Sequence, residues 1–248
     1  MNDWPTLKKA PVVTAIFQIK FDMGAATLED FLEYDKSIRE ILPEKSGNIA
    51  ANINFNGTSI PLGVSKVTGT STARVDIYRY FSTDQKQKLE ISEGTITYID
   101  ESEYVSWDNF THKVFNLLSK INQVLEQHTI TRTSIRFVNK FDLDTNINPI
   151  EYFKTIISTT EDNVVPYPLS QFSFKMRLNV SDTISANVNQ SMEQVQAKYI
   201  YIFDIDVLEH RNLIFEINSI KRVLDGLWVV NNELFFRNIT DKLIELCS

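Results

Sequence analysis

Cysteine is almost missing. Cys247, second from the end, is the only one among 248 residues. One thiol excludes an internal disulfide and a cysteine-ligated metal cluster, and its sequence neighbourhood lacks the basic context that activates a thiol. Glycine and proline are scarce, seven of each, which leaves little material for glycine-rich phosphate loops or flexible linkers. No Walker loop, G-x-G-x-x-G or G-x-S-x-G pattern occurs. No run approaches the roughly 18 apolar residues of a membrane span. Met1-Asn2-Asp3-Trp4-Pro5 lacks the basic-then-apolar start of a signal peptide, so a cytoplasmic protein without a membrane partner is expected. Positive charge is in deficit: a net charge of -7 argues against general attraction to nucleic acid or anionic membrane, while leaving room for a local basic face. The three histidines, His112, His128 and His210, are not at metal-ligand spacing.

Apolar residues make up 43% and charged residues 23%, the balance of a globular chain. Sixteen Phe and nine Tyr suit sheets. Val12 to Phe21 alternates, with Phe17, Ile19 and Phe21 on one face and Gln18 and Lys20 on the other. Thr27 and Asp30 then open a helix carrying Leu28, Phe31, Ile38 and Leu42, which Pro43 stops. A meander follows: Ile49 to Phe55, an Asn56-Gly57 turn, then Ala73, Val75, Ile77 and Phe81 alternating with Arg74, Asp76, Tyr78 and Tyr80. Leu89 and Ile91 lead through Glu93-Gly94 to Ile96 and Tyr98 as a hairpin. Trp107, Phe110, Val114, Phe115, Leu118, Ile121 and Leu125 mark a long helix.

The order then recurs. Arg132 to Phe141 is a strand, and Asn148, Pro149 and Glu151 cap a helix. Strands follow at Gln171 to Val180, Ile184 to Val188, Val195 to Ile205 and Leu213 to Ile217, before a final helix with Trp228, Phe235, Phe236, Ile239 and Leu243. The motif F-x-x-K-F-D occurs at Phe17 to Asp22 and again 120 residues later at Phe137 to Asp142. Trp107, Val114, Phe115 and Leu118 map at +121 onto Trp228, Phe235, Phe236 and Ile239; Tyr78 and Tyr80 map at +121 onto Tyr199 and Tyr201. Leu28 to Phe31 maps at +122 onto Ile150 to Phe153. Self-similarity at a fixed offset implies a duplicated unit. The expected fold is α+β: a tandem duplication of a β-α-β(3-4)-α unit, a mostly antiparallel curved sheet with long helices on one side. Residues 1–128 and 129–248 would be the two repeats of one pseudo-symmetric domain. That topology resembles the TATA-binding-protein-like fold, without a recognisable DNA-wedging pattern, and topology alone carries no function.

Three segments carry a closer likeness. They are Ala10-Pro11-Val12-Val13-x-Ala15-Ile16-x-Gln18-Ile19-x-Phe21, the central Ile135 to Asp142, and Leu224-Asp225-x-Leu227 leading to Phe236-x-x-Ile239-Thr240-Asp241. With them the chain resembles a family of uncharacterised, sporadically distributed prokaryotic proteins of similar length. That family tends to show Arg-Tyr-Ile-Asn-Arg where this chain has Arg136 to Lys140, so Phe137 and Lys140 depart from it, and Trp228 stands where His would be expected. The resemblance implies no established activity. Its patchy distribution suits mobile or defence-associated genes.

Arg132, Arg136 and Lys140 alternate onto one strand face, and Lys175 and Arg177 also share a polar face; together they could form a basic patch for phosphate or an acidic partner. An ordinary solvated face with counter-charges is the alternative. Asn139 falls among Ile135, Phe137 and Phe141 on the apolar face, where its amide must be hydrogen-bonded. It would either meet a ligand in a cleft between the halves or mark a bonded bulge. Asp204 and Asp206 share a face, with Glu209, Glu216 and Lys221 following, as weak candidates for a metal-dependent nuclease. Asn218 stands where the D…(D/E)-x-K pattern needs lysine. Trp107 and Trp228 read as core anchors rather than cofactor-stacking groups. The expectation is a non-enzymatic interaction protein with a protein partner and no cofactor. Alternatives are a nucleotide or nucleic-acid module on the Arg132, Arg136 and Lys140 face, or a metal-dependent hydrolase at Asp204 and Asp206.

Overall fold

The two copies of the F-x-x-K-F-D stretch lie side by side. β1 (Val12–Phe21) and β6 (Thr129–Asp144) pair antiparallel at the middle of one sheet in the computed structural model, which describes residues 4–5, 7–24, 27–53, 71–126, 128–144, 151–154 and 170–247. Ala15 faces Phe137 and Phe17 faces Ile135, so Ile16 sits opposite Arg136, its counterpart 120 residues on. Outward from β1 come β5 (Thr95–Asp100), β4 (Gln87–Ser92), β3 (Ser71–Phe81) and β2 (Glu44–Ile53). Outward from β6 come β9 (Lys198–Glu209), β8 (Ile184–Val195) and β7 (Gln171–Asn179). Every pairing is antiparallel, and the two-residue β10 (Leu213–Ile214) adds to β6. In each half, the last long strand returns to lie beside the first.

The period of two decides which face is covered. Ala15, Phe17, Ile19 and Phe21 of β1, Ile135, Phe137, Phe141 and Leu143 of β6, and Tyr201, Phe203, Ile205 and Val207 of β9 are all buried. Helices close this face. They are α1 (Asp35–Arg39), α2 (Trp107–Lys120), α3 (Asn122–Leu125), α4 (Ile217–Asn238) and α5 (Asp241–Leu246). Phe235 of α4 stacks on Phe203, Phe110 of α2 leans on Tyr98, and Phe31 meets Phe21. The architecture is therefore α+β, a large antiparallel sheet with its helices on one face. The opposite face carries the alternate residues, and among the described residues no helix covers it. Among the described residues, no helix is long and apolar enough to cross a membrane.

Local chemistry explains most boundaries. Ser106 caps α2 by accepting the Asn109 backbone N–H. The Glu93-Gly94 turn joins β4 to β5, and Gly94 takes a left-handed φ of +64° in which a Cβ would sit 2.8 Å from the Phe21 carbonyl oxygen. Thr27 and Asp30 form the capping box the sequence announced, but it opens a 3₁₀ turn (Leu28–Tyr34) that relaxes into the short α1. The long helix through Leu125 is interrupted at Ile121.

Four expectations need correction. Leu213 to Ile217 is not a fourth long strand: pairing ends at Ile214, and Ile217 opens α4, whose buried stripe Ile220, Leu224, Leu227 and Asn231 has helical period. The final helix also breaks at Ile239, whose extended backbone bridges to Phe153 before Thr240 caps α5. In β3 the faces are reversed. Tyr78 and Tyr80 point to the core and Ile77 is half-exposed, because each phenol can bury its ring and keep its hydroxyl bonded, as Tyr80 does to Asp35 at 3.0 Å. Nor do these tyrosines match Tyr199 and Tyr201 in place: β3 is three strands out from β1, whereas β9 lies directly beside β6. The Asn56-Gly57 turn and the Asn148-Pro149 cap lie outside the described residues.

Candidate functional site

The open face of the second half carries a dense polar network. Cross-strand pairing lines up Arg177, Asn187, Asp206 and Arg136 in one row, and Lys175, Asn189 and Asp204 in the next. Arg136 reaches diagonally and grips Asp204 in a fork, with Nε and one terminal nitrogen each 2.7 Å from a carboxylate oxygen. Asn189 adds a bond to Asp204 at 3.0 Å, and Asn187 donates to Asp206 at 3.3 Å. The bond to Asp204 holds the Arg136 pKa above its ordinary value. Burial pushes the Asp206 carboxyl up, against the pull of Asn187, Arg136 and Arg132. Arg132 donates to Gln18, which donates in turn to Thr97 at 2.8 Å; burial lowers the Arg132 pKa. Lys140 pairs with its neighbour Asp142 at 3.4 Å.

Most of the expected basic stripe is thus already partnered. Lys175 and Arg177 differ: both are exposed on β7, with no side-chain ion pair or hydrogen bond among the described residues. With Arg136, Asn187, Asn189 and Asp206 they line a shallow pocket of about 390 Å³. Asp204 and Asp206 do share a face, but their companions scatter. Glu209 lies on the helix-covered face and pairs with Arg211, while Glu216 precedes α4 and accepts from Ser219. No group of three metal-ligating side chains forms among the described residues, and Asp204 is occupied by Arg136 and Asn189.

Asn139 sits on the opposite face, where alternation placed it. It is 3% exposed, and its Nδ2 donates to the Phe203 carbonyl at 3.0 Å. The bulge in this region belongs to β1, between Val12 and Thr14. Asn139 also lines a cleft of about 660 Å³ between the N-terminal segment, the loop before α2, and α4. Trp107 and Trp228 stack there at 5.6 Å, Trp4 stacks on Phe236 at 5.4 Å, and Tyr104 meets Phe137 edge-on. Asn139 is thus neither a bulge nor a break in the alternation: it is a bonded core amide that also lines a cleft.

Trp4, Tyr104, Asn231 and Asn232 in this cleft were not singled out in sequence. Asn231 left a usable signal, a polar residue on the apolar stripe of α4, and it is the counterpart of Asn139: 2% exposed, donating to the Ile205 carbonyl at 3.1 Å. His128 is buried against Phe21 at the entry to β6, and Cys247 is buried, which raises its thiol pKa. No protein-family model, curated protein or solved structure matches the chain.

Proposed function

We propose that the chain is a non-enzymatic binding protein that holds an acidic protein partner on the open face of its sheet. The carrying observation is the pair Lys175 and Arg177, exposed, adjacent to the Arg136 network and without an ion pair among the described residues. Two unpaired cations on a chain of net charge -7 favour a partner that supplies carboxylates. Half-buried Ile16, Val138, Ile200 and Ile202 offer apolar contact further across the same face, on β1, β6 and β9. The fork to Asp204 already orders the Arg136 side chain, which lowers the ordering cost of association there.

The wider reading is a cytoplasmic protein of a prokaryotic accessory system, of the defence or toxin-control kind, built from two copies of one module. The family likeness and the mirrored strand order support it.

The test is capture of a partner from the native host, followed by titration of the purified pair. Lys175→Glu with Arg177→Glu should weaken that binding by about tenfold or more, and salt should weaken the wild-type complex. A partner that binds both forms equally would overturn the proposal. The same two cations also favour a second reading, nucleic-acid binding on the Arg132, Arg136 and Lys140 face. A salt-sensitive shift of a labelled oligonucleotide, lost in the double variant, would establish that reading instead.

A further inference from the structure

We infer that the cleft on the helix side is a binding site for a small organic cation, an apolar molecule carrying an ammonium or quaternary ammonium group. It is separate from the open sheet face. Its volume, about 660 Å³, falls in the range of roughly 300–1,000 Å³ that holds small ligands.

Its walls are aromatic on several sides. Trp4 lies flat on Phe236, with ring planes 7° apart, and Trp107 lies flat on Trp228, with planes 14° apart. Tyr104 lines the same space. None of these five rings is fully buried, so each keeps surface for a ligand. Aromatic faces carry negative charge density and attract cations within about 6 Å.

The charges select the same sign. The lining contains no lysine, arginine or histidine. Its only ionisable carboxylate is Asp108, exposed in the first turn of α2 and without a side-chain partner among the described residues. An anionic ligand would find no counter-charge and would be repelled.

The two buried amides present acceptors. Asn139 and Asn231 each donate Nδ2 to a β9 carbonyl. Their side-chain oxygens accept nothing among the described residues, and neither is sealed from the cleft. A ligand that supplies N–H donors or diffuse positive charge completes this set, whereas one that brings acceptors leaves it unpaired.

The test uses isothermal titration of the full chain with benzyltrimethylammonium, neutral benzyl alcohol and anionic benzoate. The cation should bind with a Kd below about 1 mM, about tenfold tighter than benzyl alcohol, and benzoate should bind more weakly than either. Trp228→Leu, which keeps apolar bulk but removes the ring, should weaken the cation about tenfold. Asp108→Asn, at an exposed position, should weaken it about threefold while lowering the thermal midpoint only slightly, through loss of a first-turn charge. Should Trp228→Leu fail to fold, Asp108→Asn and the ligand series decide. A cation that binds no better than benzyl alcohol, or as well to Asp108→Asn as to wild type, would overturn the inference.

Discussion

Trp107, opening α2, and Trp228, in the middle of α4, stack with centroids 5.6 Å apart and planes 14° from parallel. They stand 121 residues apart in the sequence, one on each of the two long helices. Trp107 Nε1 donates to Asp225 Oδ1 at 2.8 Å, one turn before Trp228, which fixes the indole against α4. The stack joins the helical layer as the β1–β6 pairing joins the sheet.

A double-mutant cycle on this pair measures that joint. Trp107→Ala and Trp228→Ala should each destabilise the protein by about 2–3 kcal/mol, below a fully buried tryptophan because both rings are half-exposed. The coupling should be about 0.5–1.5 kcal/mol. Urea unfolding of the four proteins provides the values. A coupling near zero would show that the rings merely coincide.

Arg136→Ala should cost about 1–3 kcal/mol. The Asp204 side chain is 8% exposed and would lose its fork, while the 44% exposure of Arg136 screens part of the pair. Replacing both residues, Arg136→Met with Asp204→Leu, should recover much of the loss, since no buried charge is left unpaired. Chemical denaturation separates the two outcomes.

Asp206→Asn should stabilise the protein at neutral pH. The folded-state pKa of Asp206 is raised, chiefly by burial, so the native state holds this proton more tightly than the unfolded chain. Wild-type stability therefore falls as pH rises from the unfolded carboxyl pKa through the folded one, and the ionised form costs stability above it. The asparagine variant lacks that cost. Its thermal midpoint should exceed wild type at pH 7, and the gap should close near pH 3; a gap independent of pH would refute the assignment.

Gly94→Ala should destabilise by about 1–3 kcal/mol. Two effects add: the left-handed φ of +64° and the 2.8 Å approach of the new Cβ to the Phe21 carbonyl oxygen. That oxygen belongs to β1, so the strain falls on the central strand. Thermal unfolding with unchanged circular dichroism at low temperature is the expected pattern.

Amino-acid order alone settled the elements whose cause is local. Alternation identified β1, β6 and β7 and placed Arg132, Arg136 and Lys140 on one face and Asn139 on the other. The Glu93-Gly94 turn and the Thr27–Asp30 capping box were also legible, because backbone chemistry there involves a few adjacent residues. Tertiary contacts decided the rest. Tyr78 and Tyr80 turned inward because Asp35 and the core reward a buried phenol, which period-two patterning cannot foresee. Their likeness to Tyr199 and Tyr201 dissolved once strand order put those residues in different parts of the sheet. Arg136 proved to be committed to Asp204, 68 residues away, and the cleft brought Trp4, Tyr104 and Asn231 together from segments no sequence window spans. Spacing fixes which side of a strand a residue faces; which partner it meets there depends on packing between segments distant in the chain.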